Sequence, residues 1–151
     1  MNRLESTMII PRQIAEVWDF FSSPANLGKI TPSSMNFKIL TPLPAKMYEG
    51  LLIGYKVSPF PFIRVGWVTE ISRIRENEYF IDEQRKGPYS IWHHEHHFKA
   101  VETGVEMKDI LYYSMPAGFL GQWIEKLLVA RRVRQIFEFR EKKVKELFPA
   151  R

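Results

Sequence analysis

The chain of 151 residues is 45% hydrophobic and 14% aromatic, with a net charge of +5 and 0 cysteines. That length has room for a single domain, here residues 1–151, in which about two thirds of the unfolded chain's surface is buried on folding, and the composition excludes a disordered chain. The absence of thiols excludes disulfide scaffolding, cysteine-ligated zinc, iron–sulfur clusters and a cysteine nucleophile, and it fits a reducing compartment.

The first residues place Glu5 where a secretory signal needs an apolar run. The uncharged stretch from Ile110 to Ile124 contains Pro116, Gly118 and Gly121 and is shorter than the ~18 to 20 residues of a membrane span, so a cytoplasmic location is expected. Leu4 to Ile10 reads as a first strand halted at Pro11. Ile14, Val17, Trp18 and Phe21 then follow helical spacing up to Ser22-Ser23-Pro24. Pro24 to Ile30 reads as a second short helix, followed by a proline-punctuated link through Thr31-Pro32-Ser33.

From Phe37 the apolar period becomes two, which predicts an antiparallel meander with strands at about 36–41, 50–58, 63–74, 79–86, 90–101 and 105–114. Gly54 and Gly66 inside strands suggest bulges or bends. After Pro116 the helical period returns, and Leu120, Trp123, Leu127, Ala130, Val133, Phe137, Val144 and Phe148 form a stripe along one long helix. The order is α+β, a curved seven-stranded antiparallel sheet gripping a long last helix. Along that helix Arg131, Arg132, Arg134, Arg140, Lys142, Lys143 and Lys145 alternate with Glu138, Glu141 and Glu146. They are read as a solvated face on which Arg131, Arg132 and Arg134 offer at most a weak contact to an anionic membrane or protein, with no specific nucleic-acid binding.

Alternation assigns the sheet faces. Tyr55, Trp67 and Thr69 point inward, as do Trp92, His94, His96 and Phe98 on the next-to-last strand and Met107, Asp109, Leu111 and Tyr113 on the last. His93 and His97 point out as surface cross-strand groups. Between Tyr79 and Arg85 the parity alone is undecided; with the even positions inward, Phe80, Asp82 and Gln84 join the wall. The buried polar groups then need partners, since each orphan costs about 1 to 3 kcal/mol. A metal site, a His–Asp acid–base pair and a polar lining that recognises a ligand all fit the residue types. The last is preferred, with no metal and no cofactor expected.

Asn26-Leu27 with Ile30-Thr31-Pro32, Asp82-Glu83-Gln84-Arg85 with Gly87-Pro88-Tyr89, Trp92-His93-His94-Glu95-His96-His97-Phe98, and Asp109-Ile110-Leu111-Tyr112-Tyr113 with Pro116 resemble the bacterial SRPBCC proteins. These are START-like, pollen-allergen-like helix-grip proteins, and the subgroup resembled is sometimes labelled cell-division-inhibitor-like. The resemblance implies a deep apolar cavity between the sheet and the last helix, turns Asp82 and Gln84 inward, and implies lipids, sterols, polyketides or similar lipophilic molecules as ligands. It carries no catalytic motif. The expected walls are Tyr55, Trp67, Thr69, Phe80, Trp92, Phe98, Met107, Leu111 and Tyr113 with Trp123 and Leu127 of the helix; the expected polar anchors are Asp82, Gln84, His94, His96 and Asp109. Two further readings stay open: a cyclase or hydrolase in which Asp109 orients His94 or His96, and an interaction module acting through the basic helix.

Overall fold

The computed structural model describes residues 1–116 and 122–150, and the side chains of residues 1–116 and 126–150. Strand β1 (Asn2–Ile10) leads into helix α1 (Ile14–Phe21), two 3₁₀ turns (Pro24–Ile30 and Ser33–Met35), and the short β2 (Lys38–Ile39). The meander then runs through β3 (Leu52–Phe60), β4 (Ile63–Arg75), β5 (Tyr79–Lys86), β6 (Ile91–Val101) and β7 (Gly104–Ser114), and the chain returns over the sheet as α2 (Gln122–Leu147). The strand order β1-β7-β6-β5-β4-β3-β2 is antiparallel throughout. Its only non-sequential neighbours are the first and last strands, in register from Asn2 opposite Tyr113 to Ile10 opposite Val105. Because β1 and β2 occupy opposite edges, the segment carrying α1 and the 3₁₀ turns must cross the sheet, which brings it to one end of the space beneath α2. Among the described residues no helix is long and apolar enough to cross a membrane.

Period-two patterning places the strands within a few residues, and three details differ. The expected strand at 36–41 is reduced to Lys38–Ile39, because Ser33–Met35 forms a 3₁₀ turn closed by Asn36 in the left-handed region at φ 46°. The expected link at Ser58-Pro59-Phe60-Pro61 is partly strand: β3 continues to Phe60 through an irregularity between Val57 and Phe60. Gly54 and Gly66 are not bulges, since they pair in regular register with Val68 and Lys56. The other register shifts fall between Val68 and Thr69 and between Ile71 and Arg73, on the strands that must bend around α2. At Gly54 the requirement is space: its N–H donates to Thr41 Oγ1 at 3.1 Å, and a Cβ there would press on the Thr41 methyl.

Two hydrophobic clusters fill the concave side. Trp18 and Phe21 of α1 meet Phe98, Met107, Val105, Val144 and Phe148 in the first, with Phe98 5.5 Å from both the Trp18 and Phe21 rings. In the second, Val129, Val133 and Phe137 of α2 cover Trp67, Leu111 and Tyr113. Of the stripe expected along the last helix, Val133, Phe137 and Val144 are buried, as is Phe148 just past the end of α2, whereas Ala130 is half-buried with Val129 buried beside it and Leu127 is 73% exposed. Two residues from Val129 is about 200° around a helix, so Leu127 lies on the opposite side from the buried row. Leu120 and the side chain of Trp123 lie outside the described residues.

Candidate functional site

A cavity of about 160 Å³ opens between the sheet and α2 and is lined by members of both clusters. That is room for roughly five water molecules or one ring of about benzene size. Its walls are apolar and aromatic on β3, β4 and the 3₁₀ turns, with Phe37, Tyr55, Trp67, Tyr89 and Trp92 packed ring to ring. Thr69 is already satisfied by the wall: Trp67 Nε1 donates to its hydroxyl at 3.1 Å and the Tyr55 hydroxyl lies 3.0 Å away. The desolvated Tyr55 phenol is pushed far above its ordinary pKa, so it stays neutral.

Polarity is concentrated in one patch, where β5, β6, β7 and α2 bring Asp82, His94, His96, Asp109 and Arg140 together. The cross-strand pairs Asp82–His94 and His96–Asp109 follow from the register. His96 Nε2 lies 2.6 Å from Asp82 Oδ2, and its Nδ1 lies 2.8 Å from Asp109 Oδ1. A histidine that donates from both nitrogens is an imidazolium. Burial pulls His96 down, but the hydrogen bonds to Asp109 and Asp82 outweigh it and hold the pKa above the ordinary value. His94 Nε2 donates to Asp109 Oδ1 at 3.1 Å. Burial, reinforced by the neighbouring His96 charge, depresses His94 to about 4, so it is neutral. Burial pushes both aspartates up, but the hydrogen bond from His96 in the case of Asp82, and the Arg140 charge in the case of Asp109, hold both below the usual carboxylate range. Two carboxylates, one imidazolium and one guanidinium sum to zero, which is how the cluster tolerates burial.

Arg140 is the member that its place among the helix charges conceals. Its Nη2 is 3.5 Å from Asp109 Oδ1 and 3.1 Å from His96 Nδ1. With the Nδ1 proton committed to Asp109, the guanidinium acts on that carboxylate through charge. Its Nε is buried without a partner. The signal is in the spacing, because 140 falls three after Phe137 and four before Val144, inside the buried row.

Tyr55, Trp67, Thr69, Trp92, His94 and His96 line the cavity from the face that parity assigns them, and so do Phe80 and Asp82, on the strand where parity is undecided and the resemblance implies the even positions inward. Phe98, Met107, Leu111 and Tyr113 do point inward, but α1 and α2 pack directly on them and leave no space. Asp109 sits behind the two histidines, 2% exposed. Gln84 is also displaced from the expected anchors: its amide donates to the Tyr89 carbonyl at 2.6 Å and accepts from the Tyr89 N–H at 3.1 Å. It thereby fixes the turn that carries the Tyr89 ring, and a Cβ on Gly87 would collide with it. Leu127 is outside the wall because of its exposure. Ile136, Phe137, Met35, Phe37 and Tyr89 also line it, unannounced by strand parity because they come from the helix and the turns.

On the outer face His93 bonds Glu83 at 3.0 Å and Glu95 at 3.2 Å, and His97 bonds Glu95 at 2.8 Å. Arg131 and Arg134 are exposed, whereas Arg132 Nε donates to the Pro59 carbonyl at 2.9 Å and ties α2 to the β3–β4 hairpin.

No protein-family model and no curated protein matches this chain. Solved structures do. Protein CV1439 from Chromobacterium violaceum is 12% identical, with a TM-score of 0.72 and 99% of each chain covered. Protein TTHA0849 from Thermus thermophilus is 14% identical, with a TM-score of 0.72 over 96% of this chain and 95% of its own. Ara h 8.0201 is 13% identical, with a TM-score of 0.61 over 96% and 98%. At such identities the likeness concerns the path of the backbone, and with the seven-stranded sheet and the long last helix it shows that this chain has the helix-grip, SRPBCC-like fold.

Proposed function

We propose that this protein binds a lipophilic small molecule carrying one anionic or hydrogen-bond-accepting head group, within the cavity between the sheet and α2. The observation that carries the reading is a contrast inside one cavity: an aromatic wall on which Tyr55, Trp67 and Thr69 pair their polar atoms with one another, and a buried patch where Arg140 Nε has no partner. An apolar body gains about 25 cal/mol for each Å² of surface it buries, and an acceptor at Arg140 relieves an unsatisfied buried donor. The fold and the Trp92 to Phe98 segment support placing the chain with the bacterial SRPBCC ligand binders. Displacement of an apolar fluorescent dye by alkyl carboxylates and by alcohols of equal chain length tests the reading. Displacement by the carboxylates at lower concentration is expected, with that preference reduced about tenfold or more in Arg140→Leu. Failure of every lipophilic competitor to displace the dye refutes it.

The His94–Asp109 bond favours a second reading, a cyclase or hydrolase in which neutral His94, oriented by Asp109, accepts a proton from the bound molecule. Turnover of a bound molecule that is lost in His94→Gln while binding persists distinguishes it.

A further inference from the structure

The Asp109 carboxylate holds two imidazoles by one edge. His94 Nε2 donates to Asp109 Oδ1 at 3.1 Å, and His96 Nδ1 approaches the same oxygen at 2.8 Å. Each ring therefore turns its other nitrogen toward Asp82 Oδ2, His96 Nε2 at 2.6 Å and His94 Nδ1 at 3.6 Å. The second approach is unusual. With the His94 proton on Nε2, Nδ1 is a lone pair facing a carboxylate oxygen with no hydrogen between them, an arrangement that repels unless a cation shares it.

We propose that Asp82, His94 and His96 form a binding site for a first-row divalent cation such as Zn²⁺ or Fe²⁺, with Asp109 as the supporting carboxylate behind both histidines. Ligand atoms of the three residues lie within 4.8 Å of one another. Donors about 2.0 to 2.1 Å from one ion stand roughly 2.8 to 3.4 Å apart at angles between square and tetrahedral. The approaches to Asp82 bracket that range, the three donors close on the ion by side-chain rotation from within 4.8 Å, and occupancy exchanges the Nε2 proton of His96 for the ion. Two imidazoles and one carboxylate on one side of an ion, each imidazole anchored through its far nitrogen, is a donor set suited to such cations. The remaining coordination positions face the apolar cavity, because Asp82, His94 and His96 line it and Asp109 does not. Counting two carboxylates, Arg140 and the ion leaves one positive charge uncompensated, which an anionic group entering the cavity neutralises. The inference rests on side-chain geometry and stands whether or not a lipophilic molecule is bound.

The test is equilibrium dialysis of chelator-treated protein against Zn²⁺, with metal content measured per chain, and Co²⁺ as a spectroscopic probe of the ligand field. About one ion per chain is expected. Asp82→Asn and His94→Gln should each lower affinity at least tenfold, and Asp109→Asn should weaken it 10- to 100-fold while the stoichiometry holds, as for a supporting carboxylate. His93→Gln with His97→Gln, on the outer face, should change nothing. Thermal unfolding of each variant establishes that it is folded. Less than stoichiometric uptake overturns the site, as does uptake that survives Asp82→Asn and His94→Gln but is lost with the outer pair.

Discussion

A histidine in this cluster has its charge decided by which carboxylate it touches and from which nitrogen, and His94 and His96 fall on opposite sides of neutrality although two residues apart. In chelator-treated protein the consequence is a stability optimum. His94 titrates near 6.5 unfolded and about 4 folded, so between those values the unfolded state binds more protons and stability falls as pH falls. The loss is on the order of 3 kcal/mol. His96 is raised when folded, so its contribution is complete below 6.5 and is lost as pH rises through its folded value. The groups facing the pair are Asp82 from β5, Asp109 from β7 and Arg140 from α2. Urea denaturation across pH should show both limbs, and His94→Gln should flatten the one between pH 4 and 6.5; an unchanged acid limb would refute the assignment of charge. Asp109→Ala should cost about 3 to 5 kcal/mol by the same assay, since it strands the His96 and Arg140 charges in a dry site. Parity makes His94, His96 and Asp109 legible in the sequence, while Asp82 is turned inward only by the resemblance. Arg140 is hidden because an arginine among alternating charges reads as solvent-facing, and only its step within the row Val133, Phe137, Val144 says otherwise.

At the scale of elements, periodicity identifies the type of each strand and helix but not the phase of every residue within it. Leu127 shows the limit: it is apolar and near the stripe, yet the three-residue steps from Val133 through Ala130 each fall about 60° short of a full turn and together take it to solvent. Leu127→Lys should therefore change stability by less than about 0.5 kcal/mol, while Val133→Ala, fully buried on the inner face of α2, should cost on the order of 2 kcal/mol. Chemical denaturation of the two variants checks both, and equal losses would mean that α2 is rotated from the phase described. The strand glycines separate in the same way. Gly104 opens β7 at φ 142°, and a Cβ there would run into the Ile10 carbonyl. Gly66 faces open space. Alanine is thus costly at the first and near neutral at the second, although both are single glycines beside apolar strands.

For the whole molecule, what composition foretells is a core large enough to be divided. α1 closes one end of the concave sheet on Phe98 and Met107, α2 closes the other on Leu111 and Tyr113, and the space left between them is the cavity. Its position is not legible from alternation, because every inward residue of β6 and β7 looks alike until the helices that cover some of them are placed. A cavity of this kind leaves the folded state with unfilled contacts that a ligand supplies, and a molecule that binds only the folded chain stabilises it by about 2.7 kcal/mol at a hundredfold excess over its dissociation constant. For a chain of this length each kcal/mol moves the melting temperature by about 2 to 4 °C, so an alkyl carboxylate at that excess should raise it by about 5 to 11 °C in a thermal shift assay. Ile136 projects from α2 into the same space. Ile136→Trp should fill it, leaving the free protein folded and abolishing the shift, because the added indole occupies the volume that the ligand would take. A shift that persists undiminished in a folded Ile136→Trp protein would place the ligand elsewhere on the molecule and remove the cavity from the proposed function.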